Sequence, residues 1–77
     1  MIIIKEVKIK TQTIELDKFL KWAGVLSSGG EAKNLIRQGE VRVNGGVETK
    51  RSRKLMEKDV VEFSGEGFIV VRELGDR

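Results

Sequence analysis

The chain has 77 residues and contains no cysteine, no histidine, no proline and no tyrosine; its aromatics are three phenylalanines and one tryptophan. Each absence removes a class of function. Without cysteine there is neither a disulfide framework nor a thiolate metal site. Without histidine the usual zinc ligand and the usual general base near neutral pH are both missing. No apolar run approaches the roughly 20 residues that span a bilayer. The opening Met1-Ile2-Ile3-Ile4-Lys5-Glu6-Val7 also lacks the basic start and small-residue cleavage site of a signal peptide. A cytoplasmic location with no membrane partner is therefore the default expectation. So short a chain buries only a thin core, so a deep, enclosed active site, a metal or a cofactor is not expected. With 39% hydrophobic and 35% charged residues, and no linker or repeat, the expectation is one folded domain over residues 1–77.

The charge that is present is unevenly placed. Between Ala32 and Lys54 stand Lys33, Arg37, Arg42, Lys50, Arg51, Arg53 and Lys54 against Glu40 and Glu48. That is a net +5, leaving −2 for the rest of a chain whose total is +3. Localised positive charge of this kind is the electrostatic footprint of a nucleic-acid surface, and is equally compatible with a solvated basic face.

Periodicity places these cations on elements. Val7 and Ile9 alternate behind the apolar Ile2-Ile3-Ile4, which predicts a strand. Leu16, Phe19, Leu20 and Ala23 follow the spacing of one helical face, so a first helix is expected from about Leu16 to Ala23, with Gly24 as its stop. Trp22 lies off that stripe, free to pack on a neighbour, to sit exposed or to stack on a base. Ser28 with Glu31 three residues later forms a capping-box signature for a second helix, whose apolar residues are Ala32, Leu35 and Ile36 and whose stop is Gly39. Val41 and Val43 alternate around Arg42, and Asn44-Gly45 is a type I′ hairpin signal. Lys58-Asp59 reads as a turn, Val60 to Phe63 as a strand, Ser64 to Gly67 as a hairpin loop and Phe68 to Val71 as a last strand, with a fraying tail from Leu74 to Arg77. Two short helices on a small antiparallel sheet give an α+β class.

Ser28-Gly29-Gly30-Glu31-Ala32-Lys33 is not a nucleotide loop, since it lacks the Walker spacing and its Lys-Ser/Thr ending. The missing side chains of Gly29 and Gly30 would instead let an RNA phosphate approach the helix N-terminus closely. Lys33 and Arg37, four apart, project from one side of the second helix. If the Lys50-Arg51-Ser52-Arg53-Lys54 loop lies beside them, the two form a groove with two cationic walls. Asp17 and Asp59 read as a helix first-turn residue and a turn former, not as catalytic groups.

The ordered parts Leu16-Asp17-Lys18-Phe19-Leu20-Lys21, the Ser28 to Ile36 helix and Gln38-Gly39-Glu40-Val41-Arg42-Val43-Asn44-Gly45 together resemble an S4 RNA-binding domain, over roughly residues 13–63. Within that family the Gly-Gly-Glu-Ala-Lys start of the second helix and the Lys-Arg-Ser-Arg-Lys-Leu run are most similar to small free-standing bacterial S4 proteins of the YaaA type. The resemblance implies an S4-like (alpha-L) fold and non-catalytic binding of structured RNA, ribosomal RNA or a ribosome-related particle. It leaves no room for the pseudouridine synthase or tRNA synthetase chemistry that such domains often serve. The expected RNA-binding residues are Ser28, Gly29, Gly30, Lys33, Asn34, Arg37, Gln38, Arg42, Asn44, Lys50, Arg51, Arg53 and Lys54, with Asn44 also serving its turn. Gly29 and Gly30 stand where many S4 domains carry an arginine, which shifts the expected grip toward Lys33, Arg37 and the basic loop. The alternative is a protein–protein adaptor that docks through the basic loop or an open N-terminal edge strand.

Overall fold

The computed structural model describes residues 3–73; the tail Leu74 to Arg77 and the first two residues of the N-terminal run lie outside them. The elements in chain order are β1 (Ile3–Ile9), β2 (Ile14–Glu15), α1 (Leu16–Trp22), α2 (Gly29–Arg37), β3 (Val41–Val43), β4 (Gly46–Val47), β5 (Lys54–Leu55), β6 (Val60–Phe63) and β7 (Glu66–Arg72).

Both helices are too short to persist alone, and their stability comes from packing and from their ends. α1 buries Leu16, Phe19 and Leu20, and α2 buries Ala32 and Ile36. Both finish in the same Schellman motif. In α1, Gly24 at φ +76° lets its N–H reach Lys21 O (3.1 Å) while Val25 N–H donates to Leu20 O (3.0 Å). In α2, Gly39 at φ +80° does the same, its N–H donating to Ile36 O (3.0 Å) and Glu40 N–H to Leu35 O (3.1 Å). At the start of α2 the Ser28 hydroxyl accepts from Glu31 N–H at 3.3 Å. Half of the capping box is thus made; the Glu31 carboxylate accepts from the Ser27 hydroxyl at 3.5 Å.

The main sheet runs β1-β7-β6-β3-β4. Its last four strands are antiparallel, as two tight hairpins require. Asn44-Gly45 (φ 53° and 87°) and Ser64-Gly65 (φ 55° and 79°) are paired left-handed residues of the I′ kind. The second turn is shorter than the Ser64 to Gly67 loop expected, so Glu66 and Gly67 already belong to β7. β1 pairs parallel with β7, from Ile3 opposite Glu66 to Ile9 opposite Arg72. The sheet is therefore mixed rather than antiparallel throughout. The physical reason is connectivity: the chain leaves β1 through the helices, a crossover rather than a hairpin, and nothing in β1's own residues records that. A second, two-stranded sheet pairs Ile14 with Leu55 and Glu15 with Lys54; two-residue strands are too short to show a period.

The helices cover one face of the sheet, where Ile9, Val41, Val43, Val61, Phe68 and Val70 meet Leu16, Phe19, Leu20 and Ile36. Among the described residues no polar or charged side chain is buried. Asn44 connects two turns at the rim of this core. Its N–H donates to Val60 O (2.7 Å), its Oδ1 accepts from Val60 N–H (2.9 Å), and its Nδ2 donates to Asp59 Oδ1 (3.1 Å). Asp59 Oδ2 in turn accepts from Met56 N–H at 2.9 Å. Asn44→Ala removes two side-chain hydrogen bonds and places at positive φ a residue that tolerates it less well than asparagine. A thermal or denaturant melt should show a loss of about 1–3 kcal/mol.

Candidate nucleic-acid interface

The expected surface has two parts, and the fold treats them differently. On α2, Ala32 and Ile36 face inward, which turns Asn34, Arg37 and Gln38 outward and leaves Lys33 half-buried along its stem. Ser28 spends its hydroxyl on the helix cap. Gly29 and Gly30 have ordinary backbone angles, and a Cβ at either would meet nothing within 4 Å. Neither packing nor conformation requires glycine at these two positions, the first two of the helix, where alanine is the better helix former.

The basic loop is built on acids. Glu48 accepts from Lys50 N–H (3.1 Å) and from Arg53 Nη1 (2.8 Å), and Arg53 N–H closes a turn onto Lys50 O (3.1 Å). The loop then docks onto the start of α1: Leu16 N–H donates to Arg53 O (2.8 Å) and Asp17 N–H to Arg51 O (3.1 Å). Helix N-terminal amides have no partner within their own helix, so these two carbonyls complete α1. The Asp17 carboxylate adds a longer ion pair to Arg51 Nη1 at 3.8 Å.

The loop is therefore anchored on the start of α1. Val47, just before it, lies beside Gly39 at the C-terminal end of α2; a Cβ on Gly39 would come within 3.5 Å of Val47 Cγ1. Among the described residues no hydrogen bond or ion pair joins α2 to the Lys50–Lys54 loop, so neither is positioned by a direct bond to the other. Nor does any described ion pair engage Lys33, Arg37, Lys50 or Lys54, whereas Arg53 is committed to Glu48 and Arg51, more than half exposed, makes only the long pair with Asp17. Because its neighbours Val41 and Val43 point into the core, Arg42 lies on the opposite face of the sheet, across the ladder from Glu62 on one side and Val47 on the other. Asn44 has its side chain occupied by Asp59 and Val60.

Two residues that shape the site carry no signal in the sequence. Glu48 counts there as a negative charge within the basic stretch, and Asp17 as a first-turn acid. Their roles depend on contacts between segments distant in the chain or on a loop conformation that has no period. The Arg53 guanidinium hydrogen-bonded to Glu48 holds that carboxyl below its ordinary value of 4.5, aided by Lys50 N–H and opposed by partial burial. A carboxyl depressed in the folded state adds stability that is present above its unfolded value and lost as pH falls through its folded one. Glu48→Gln should thus cost stability at neutral pH, about 1–2 kcal/mol, and the gap from wild type should close on acidification below about pH 4.5. Chemical denaturation across pH measures it.

These features define a small α+β domain that presents a basic helix and a prefolded basic loop. An S4 domain family model matches residues 7–71, and the chain belongs to the S4 domain family. It is similar to a probable ribosome maturation protein, RlbA, of Bacillus subtilis (strain 168), with 46% identity over 65 residues, 84% of this chain and 92% of that protein. It is also similar to the putative RNA-binding protein YbcJ of Escherichia coli (strain K12), with 40% identity over 58 residues, 75% of this chain and 83% of that one. The solution structure of E. coli YbcJ, described as having an alfaL motif involved in RNA-binding, superposes with TM-score 0.67 and 36% identity over 86% of this chain and 85% of YbcJ. The 30S ribosomal protein S4e of Thermoplasma acidophilum shares the fold, with TM-score 0.57 and 24% identity over 75% of this chain and 31% of S4e. The S4-like, alpha-L architecture expected from the sequence is present. No described helix is long and apolar enough to cross a membrane.

Proposed function

We propose that the protein is a non-catalytic, cytoplasmic RNA-binding domain that recognises structured RNA, either ribosomal RNA or a ribosome-related particle. The observation that carries this reading is the loop docked on α1: Lys50 and Lys54 are displayed on a backbone already fixed by hydrogen bonds, while Lys33 and Arg37 project from α2. Cations held in place lose little entropy on meeting a phosphate backbone. The proposed contacts are Gly29, Gly30, Lys33, Asn34, Arg37, Gln38, Lys50, Arg51 and Lys54. Arg53 contributes through the shape of the loop, Ser28 through the cap, and Arg42 and Asn44 are left outside the set. The relatives' descriptions as ribosome maturation and RNA-binding proteins support the same reading.

Four to six phosphate contacts correspond to a slope of log K against log salt of roughly −3 to −5. Lys33→Ala with Arg37→Ala should weaken binding to a structured ribosomal RNA fragment and flatten that slope by about 1.4–1.8. A slope equal to wild type in filter or fluorescence-anisotropy titrations would remove α2 from the interface. The glycines offer a sharper test, because stability and affinity should move in opposite directions. Gly29→Ala and Gly30→Ala should each stabilise the fold, by less than the roughly 1 kcal/mol of a helix interior, while weakening RNA binding, if the missing side chains serve close phosphate approach.

The adaptor reading keeps one observation of its own: Ile3 and Ile4 on edge strand β1 are 63% and 58% exposed. Partners captured from lysate that survive nuclease treatment would favour it.

A further inference from the structure

Trp22 is the largest exposed apolar side chain described, at 58% relative exposure, yet its polar atom is tied to the sheet. Its indole N–H donates to Lys8 O at 2.8 Å. Ile9 O accepts from Glu73 N–H on the β7 side. Neighbouring carbonyls along a strand point to opposite sides, so Lys8 O faces the free edge of β1. The tryptophan thus stands at that edge with its polar atom satisfied and much of its ring surface open. A cleft of about 230 Å³ runs beside it, lined by Ile9, Lys10, Thr11 and Ile14 as well as the indole. That is smaller than the usual small-molecule site and suits a single ring better than a metabolite. Lys10 borders the cleft, and Lys18 lies one helical turn before Trp22 on the same side of α1. Lys18 is engaged only by an exposed pair with Glu15 at 3.4 Å, a contact of small worth that a phosphate can displace.

We propose that Trp22 and this cleft form a stacking site for one unpaired nucleobase of RNA, with Lys10 and Lys18 meeting the adjoining phosphates. An aromatic face in an apolar recess bordered by Lys10, with Lys18 one turn along the helix from the ring and no carboxylate lining the recess, is complementary to a base and its anionic backbone. An apolar side chain of a protein partner would fill the cleft but leave both lysines unanswered. The inference rests on the RNA-binding reading and adds to the α2 cations a second surface that reads a single strand. The bound RNA would then be a structured element with an unpaired nucleotide at its margin. The hydrogen bond to Lys8 contributes by fixing the ring, so that stacking costs little additional order.

The chain has one tryptophan and no tyrosine, so its intrinsic emission reports on this site alone. Titration of the full chain with a short oligouridylate, which stacks little on itself, should quench or shift that emission saturably. Trp22→Ala should lower affinity for the same oligonucleotide by roughly 5- to 150-fold, the range for loss of one stacked base. Trp22→Phe, which keeps a stacking face but cannot donate to Lys8 O, should retain most of the affinity, whereas a purely edge-guarding tryptophan would lose its role in both variants. Lys10→Ala and Lys18→Ala should each flatten the salt slope by about 0.7. Unchanged emission at saturating RNA, or equal oligonucleotide affinity in wild type and Trp22→Ala, would overturn the proposal and leave the ring as an edge guard or protein contact. The double variant at Lys33 and Arg37 retains Trp22 and separates the two readings. Loss of structured-RNA binding with quenching intact supports both surfaces. Binding of structured RNA without any effect on Trp22 removes this one alone.

Discussion

Two backbone carbonyls, those of Arg51 and Arg53, determine how this molecule presents its charge. By accepting from the first amides of α1, they complete a helix too short to stand alone and fix a loop that would otherwise be free. The loop's own acid, Glu48, works with them by tying Arg53 and the Lys50 amide into one ring of hydrogen bonds. Removing order from that loop would spread its cations over many conformations, and the entropy of gathering them would then fall on the binding step. Two carboxylates thus sit inside a surface suited to an anion because they hold its shape.

The remainder of the architecture serves to bring this loop and α2 to a common core. Two Schellman ends, two I′ turns and the Asn44–Asp59 clamp all reverse the chain within a few residues. That economy is what allows 77 residues to enclose a core from which, among the described residues, polar side chains are absent. The parallel pairing of β1 with β7 closes the sheet on one side and leaves β1 as an edge. Trp22 then occupies part of that edge through the Lys8 carbonyl, so a strand partner would have to contend with an indole there.

Much of the fold was legible in advance because it depends on local rules. Gly24 and Gly39 end helices, Ser28 starts one, and Asn44-Gly45 turns a hairpin, each for reasons confined to a few neighbouring residues. The apolar stripe of Leu16, Phe19 and Leu20 named the buried face of α1. Ser64-Gly65 was legible as a turn but not in its length, since Glu66 and Gly67 join β7 only through pairing with Phe63 and Glu62. The site was legible as composition. Lys33 and Arg37 could be placed on one side of α2 from spacing alone, and the Lys50 to Lys54 run was visible as a cluster.

What the sequence by itself determined, then, is where the helices and turns fall and where positive charge is concentrated, because capping, periodicity and turn chemistry act over three or four residues. Only the tertiary structure decided which of those charges remain open. Arg53 is taken by Glu48 and Asn44 by Asp59 and Val60, Arg51 keeps only a long, exposed pair with Asp17, and Arg42 is carried to the far face of the sheet by the burial of Val41 and Val43. The parallel register of β1 and the seating of Trp22 against Lys8 were decided there as well. These outcomes depend on contacts made across the fold or within an irregular loop, and no local rule specifies them.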